Sequence, residues 1–170
     1  ETGSVNVIVW KSVRERFHER QHGVGRICPN VGCKRLSGKA REAMEDVSGG
    51  SIPAPKGHYS PAVVHGGLVY VAGQLPADPG GRDMTKSPIE EQVRQTLANI
   101  ATILDAGGSS LDRILRATVY ITDVASWQRV NTAYAEVMGE HRPARTVVPV
   151  PELHYGYLVE IDVIAALRDS

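Results

Sequence analysis

Apolar and polar positions repeat with two different periods along this chain, and the changes of period mark its elements. Val159, Ile161, Val163 and Ala165 recur every second residue, with Leu158, Glu160, Asp162 and Ile164 between them, which predicts a strand over residues 157–167. Leu115, Ala117, Val119 and Ile121 alternate in the same way with Arg116, Thr118, Tyr120 and Thr122, a half-buried strand. Earlier, Val93, Leu97, Ile100 and Leu104 recur at threes and fours, the stripe of an amphipathic helix. Ser87, Pro88 and Glu90 read as its N-cap, N1 and N3, and Gly107-Gly108 ends it. A second helix follows Asp123, with Trp127, Val130, Tyr134 and Val137 turned inward, and stops at Gly139. Residues 60–65 and 68–71 read as a strand pair around the turn His65-Gly66-Gly67, and Arg145 opens another strand over 146–150.

The resulting order, β-β-α-β-α-β-β, predicts an α+β fold with one mixed sheet and two helices on one face. The other face keeps apolar groups. A domain of this size usually covers such a face with another copy of itself. Glu160 and Asp162 on an otherwise apolar strand are costly if buried and ordinary if they face water. Arg145 and Glu160 are separated by one return loop, so the two can meet in space. They then form either a surface ion pair or a site that holds a carboxylate and activates a water.

The first fifty residues carry a different pattern. Residues 5–10 read as a short strand, and Ser12 with Glu15 opens a charged helix that stops near Gly23. Residues 23–51 are rich in Gly, Ser and charge and read as loop, with a short helix around 41–47. Gly49-Gly50-Ser51 marks the expected boundary: a weakly structured extension over 1–50 and the main domain over 51–170. His18, His22, Cys28 and Cys33 could in principle close a tetrahedral zinc site. The C-x-x-x-x-C spacing is wider than the usual structural knuckle, so a local disulfide or two free thiols is the expectation and no metal is assigned.

Composition narrows the function classes. The 170 residues are 42% hydrophobic and 22% charged, as in globular proteins. No apolar run is long enough for a membrane span, and no signal-peptide pattern is visible. Residues 1–50 hold nine Lys/Arg against six Asp/Glu, +3; residues 51–170 hold ten against thirteen, −3. A neutral-to-acidic body argues against a nucleic-acid surface. Both cysteines lie in the first fifty residues, so the body needs no disulfides and suits a reducing cytoplasm, the expected location.

Several motifs then occur in order: G-H-Y-S-P-A (57–62), G-G-L-V-Y-V-A-G-Q-L-P (66–76), E-E-Q-V-R-Q-T-L-A-N-I (90–100), T-V-Y-I-T-D (118–123), V-N-T-A-Y (130–134), R-P-A-R-T (142–146) and V-E-I-D-V-I-A (159–165). With these, residues 55–168 resemble the Rid family of reactive-intermediate imine and enamine deaminases, the YjgF-like proteins also described as endoribonuclease L-PSP-like. The resemblance implies a chorismate-mutase-like fold, a homotrimer whose sheets form an inner barrel, and active sites in clefts between subunits. It implies hydrolysis of 2-imino acids or their enamine tautomers to 2-keto acids and ammonia, with no cofactor.

Carried over by residue, the resemblance makes Arg145 the carboxylate clamp and Glu160 the group that handles the attacking water. Tyr59, Asn131, Ala72, Gly73 and Val147 fall on substrate-binding positions. Ala72 stands where many members have Ser, and Val147 where many have Cys. The expected partners are a small imino or enamine carboxylate and the chain itself, with no nucleic acid and no membrane. Two other functions stay open on the same fold: a non-catalytic trimer that binds small carboxylates or a partner protein, and a ribonuclease-like hydrolase.

Overall fold

The computed structural model describes residues 43–49, 52 and 54–169. In them the alternating stretches become six strands: β1 (Glu45–Val47), β2 (Ala62–His65), β3 (Leu68–Gln74), β4 (Ile114–Ile121), β5 (Ala144–Pro149) and β6 (Val159–Ala166). The two amphipathic stretches become α1 (Ile89–Ala106) and α2 (Trp127–Met138). The strands form one sheet in the order β1-β2-β3-β6-β4-β5. Only β4 and β5 run parallel, joined by a crossover through α2; the other neighbours are antiparallel, so the sheet is mixed.

The core lies between the helices and one face of the sheet. Val159, Ile161, Val163 and Ala165 of β6 are buried there, with Val69 and Val71 of β3 and Ala117, Val119 and Ile121 of β4. Val93, Leu97, Ile100 and Leu104 of α1 and Val130 and Tyr134 of α2 close over them. Gly66 and Gly67 both have positive φ, 61° and 78°, as the two-residue turn between β2 and β3 requires.

Four expectations give way to the structure. Residues 45–47 are not helical: they form a strand that pairs with β2 and buries Val47, so the sheet begins before the composition change at 49–51. Glu45 and Val47 alternate with Asp46 in a run too short for a helix pattern to be told from a strand. Pro88, not Ser87, caps α1; the Ser87 hydroxyl turns to Met84 Sδ at 3.7 Å, while its carbonyl accepts from Gln92. Leu115 faces outward, 51% exposed, because β4 carries one extra residue between the pairs Ile114–Ala165 and Arg116–Ile164. Ile114 takes the inward place. Trp127 is likewise exposed: it is the first residue of α2, directly after a 3-10 turn over Val124–Ser126 capped by Asp123, whereas Val130 and Tyr134 further along are buried. His18, His22, Cys28 and Cys33 lie outside the described residues, and so do the strand over 5–10 and the helix after Ser12. Among the described residues no helix is long and apolar enough to cross a membrane.

Candidate active site

Strand register decides where the candidate residues stand. In the parallel pair, Arg145 lies beside Ala117 and Val147 beside Val119, and both β4 residues face the helices. Arg145 and Val147 therefore point to the helix side. There the Arg145 guanidinium donates through Nη2 to Asn131 Oδ1 of α2 at 2.6 Å, and its Cζ lies 4.6 Å from the ring centroid of Tyr134. A planar cation suits both contacts: the amide oxygen accepts in the plane and the ring face takes the charge. None of the ion pairs among the described residues uses Arg145. It is a half-buried positive charge held by neutral groups.

Glu160 stands on the other side. It pairs across the ladder with Tyr120, while its neighbours Val159 and Ile161 face the core. In this open face, Tyr120, Glu160 and Gly73 form a row across three strands. Thr118 and Asp162 pair in the next row. Gly73 is where the row depends on glycine: a Cβ built there would overlap Glu160 Oε1. Burial pushes the Glu160 carboxyl above its ordinary 4.5; the His154 charge draws it down and Asp162 pushes it further up. Tyr120 is also raised, first by burial and then by Asp162.

Arg145 and Glu160 are thus brought to opposite faces of one sheet, and within one chain they do not meet. The reading that a return loop joins them overlooked that strands 15 residues apart can expose either face. Asn131 joins Arg145, and Val147 lies two residues on along the same side. Gly73 joins Glu160. Ala72 lies in a second irregularity, between the pairs Val71–Val163 and Gln74–Ile161, where β3 has one residue more than β6. Tyr59, 53% exposed, and Gly73 both line a cavity of about 460 Å3 beside α1.

One positioning group escaped the sequence reading. Gln92, fully buried, donates from Nε2 to the Ser87 carbonyl at 3.0 Å and accepts from the Leu158 N–H at 2.9 Å. It fixes the chain two residues before Glu160 to the start of α1. Its only sequence signal is a polar residue beside Val93 on the apolar stripe.

With this geometry in view, the comparisons with known proteins converge. The sequence profile described as Endoribonuclease L-PSP matches residues 49–167. A RutC family protein of Pyrococcus horikoshii is 42% identical over 115 residues, 68% of this chain and 91% of that one. The 2-iminobutanoate/2-iminopropanoate deaminase of Bos taurus is 34% identical over 119 residues, 70% of this chain and 87% of that one. The crystal structure of E. coli TdcF with bound serine superposes with a TM-score of 0.67 at 30% identity, over 73% of this chain and 99% of that one. From the profile, the identities and the shared architecture, the chain belongs to the Endoribonuclease L-PSP family, that of the YjgF, RutC and Rid proteins.

Proposed function

We infer that this protein hydrolyses reactive 2-imino acids to 2-keto acids and ammonia, in clefts that a second copy of the chain completes. The observation that carries the reading is the charge state of its two half-sites. Arg145 is an unneutralised guanidinium fixed by Asn131 and Tyr134, ready for an anion that offers two oxygens. Glu160 is a carboxyl raised by burial and set against a glycine, ready to exchange a proton. Because they stand on opposite faces and Arg145 lies on the edge strand β5, the Arg145 of one copy would meet the Glu160 of another where that edge is set against the neighbour's open face. A homotrimer with its sheets turned inward is the arrangement the family resemblance suggests. The bovine relative's name and the serine bound to TdcF support a small amino-acid-like substrate.

In this mechanism Arg145 holds the substrate carboxylate and so fixes the adjacent C=N carbon. Glu160 takes a proton from water as the water oxygen bonds to that carbon, giving a tetrahedral amino alcohol. The proton then passes to nitrogen, the C–N bond breaks, ammonia leaves, and the hydroxyl proton is lost as the C=O forms. The electrophile is intrinsically reactive, so positioning and one proton shuttle are enough. Val147 beside Val119, where a thiol is common in the family, favours a second reading, a carboxylate binder without turnover.

One pair of variants separates the two. Arg145→Ala should lower kcat/KM for 2-iminopropanoate roughly thirtyfold to a thousandfold, the loss of about 2–4 kcal/mol of charge-assisted bidentate binding. Arg145→Lys should recover little. Ammonia release, melting temperature and oligomeric state are measured on the same preparations. An Arg145→Ala protein that deaminates at the parental rate would remove the clamp assignment. A parental protein that binds pyruvate and releases no ammonia would leave only the binder.

A further inference from the structure

The cavity beside α1 is larger and more apolar than a methyl- or ethyl-bearing substrate needs. Its volume is about 460 Å3, whereas an apolar cavity on the order of 150 Å3 already holds benzene. Its apolar lining includes Leu75, Ala77 and Pro79 after β3, Ile103 of α1, and Ile52 and Pro61 before β2. The amide and aliphatic hydroxyl side chains of its lining, Gln74, Asn99 and Thr102, are already committed to the chain. Gln74 Nε2 donates to the Ala72 carbonyl at 3.0 Å. Asn99 Nδ2 donates to the carbonyls of Leu75 and Ala77 at 3.0 and 2.9 Å, and Thr102 Oγ1 to that of Ala98 at 3.2 Å. What such a cavity offers a ligand is therefore mainly apolar surface and ring faces, with the Lys56 ammonium and the tyrosine hydroxyls as its polar groups.

The rings come from Tyr59, Tyr155 and Tyr157. Tyr155 is the one non-glycine at positive φ among the described residues, 61°, and Gly156 follows at 78°. An aromatic residue is rarely found in that conformation. Here the turn delivers two tyrosines to the same rim: the Tyr155 and Tyr157 rings meet edge to face, centroids 6.3 Å apart. Lys56 Nζ lies 5.0 Å from the Tyr155 ring centroid and ties the loop to the segment before β2. The loop ends two residues before β6, and thus three before Glu160. Gly73 lines the cavity and also lies against the Glu160 carboxylate, so the cavity abuts the proposed reacting centre.

We propose that this cavity is a side-chain pocket that selects 2-imino acids with aromatic or large apolar side chains, with Tyr155 and Tyr157 as its specificity residues. The proposal rests on the deaminase reading for its reaction and on the cavity alone for its selectivity. The substrate carbon would sit at the Glu160 carboxylate, which lies against Gly73, with its side chain running on past that glycine to lie among the three rings.

The test compares kcat/KM for 2-imino-3-phenylpropanoate and 2-iminopropanoate, each generated in place by an amino-acid oxidase, and binding of phenylpyruvate and pyruvate by calorimetry. The parental protein should favour the phenyl compound in both. The double variant Tyr155→Asn with Tyr157→Leu should cut that preference about tenfold. Asn tolerates the left-handed backbone, so ring loss is tested without new strain. Ala77→Leu, which fills the wall from an exposed position, should reduce the same preference without touching either ring. A parental preference for the small substrate, or a phenyl preference that neither variant moves, overturns the pocket. If no imino acid is hydrolysed yet phenylpyruvate outbinds pyruvate and the variants abolish this, the pocket stands and the deaminase reading falls.

Discussion

On the helix side of the sheet, Val159, Ile161, Val163 and Ala165 are at most 1% exposed, while on the open side Glu160, Asp162 and Ile164 of the same strand stay half-exposed. Both sets alternate along one backbone, so the difference is not one of strand propensity. It comes from what each face is packed against. The closed side meets α1 and α2, which exclude water and leave room for few polar groups; Gln92 is accepted there because both ends of its amide are bonded. The open side lies outside the hydrophobic core that the two helices close. It holds a cluster of ionisable groups, Tyr120, Glu160 and Asp162, beside the exposed or half-exposed side chains of Tyr70, Leu115 and Ile164. One face is finished within the chain, and the other is the one that the proposed assembly would cover with a second copy.

Variants on the two faces should therefore fail differently. On the closed face, Leu97→Ala removes a fully buried side chain of α1 and should cost about 2–5 kcal/mol of stability. Chemical denaturation should show this as a lower midpoint with little change in slope. A loss under about 1 kcal/mol would mean the closed face is loosely packed.

On the open face, Ile164→Glu places a carboxylate next to Asp162 in space that the proposed trimer buries. It should raise the dissociation constant at least about a hundredfold while each chain stays folded. Sedimentation and circular dichroism on one sample check both halves of that statement. An intact oligomer would put the interface elsewhere and, with it, the cleft.

The finest distinction is electrostatic. Burial raises the Glu160 carboxyl above 4.5 and the His154 charge pulls it back, so the acid limb of kcat/KM should lie above the ordinary glutamate range. His154→Ala removes the charge that draws the carboxyl down and should move that limb upward. The sign for stability is fixed by the same direction: a raised carboxyl binds its proton more tightly folded than unfolded. Its contribution is therefore fully present below 4.5 and is lost as pH rises through the raised value. A pH–rate profile unmoved by His154→Ala would separate that histidine from the site.

Periodicity made most of the fold legible, because burial on one face writes itself into every second or every third and fourth residue. Val159 to Ala165 and Val93 to Leu104 were readable for that reason. Leu115 was misread because a bulge leaves composition untouched while shifting which residue faces in. The site was legible only in part. Arg145 and Asn131 come together, and Gly73 lies against Glu160. That the two groups occupy opposite faces depends on β5 lying parallel to β4 with Arg145 beside Ala117, and pairing register is not written in either strand alone. Gln92 was passed over because a glutamine on a helix is ordinary until its buried partners are known.

The two places where a strand carries one residue more than its neighbour also govern how the length of this chain can vary. Removing one residue at Leu115 joins Ile114 to Arg116 and leaves every later β4 side chain on its present side. The extra residue between Val71 and Gln74 gives β3 the same allowance. Elsewhere in β3, β4 or β6 a single deletion would turn all following residues over, sending acids into the core and valines onto the open face. Single-residue gaps between homologous sequences in these strands should therefore gather at those two positions.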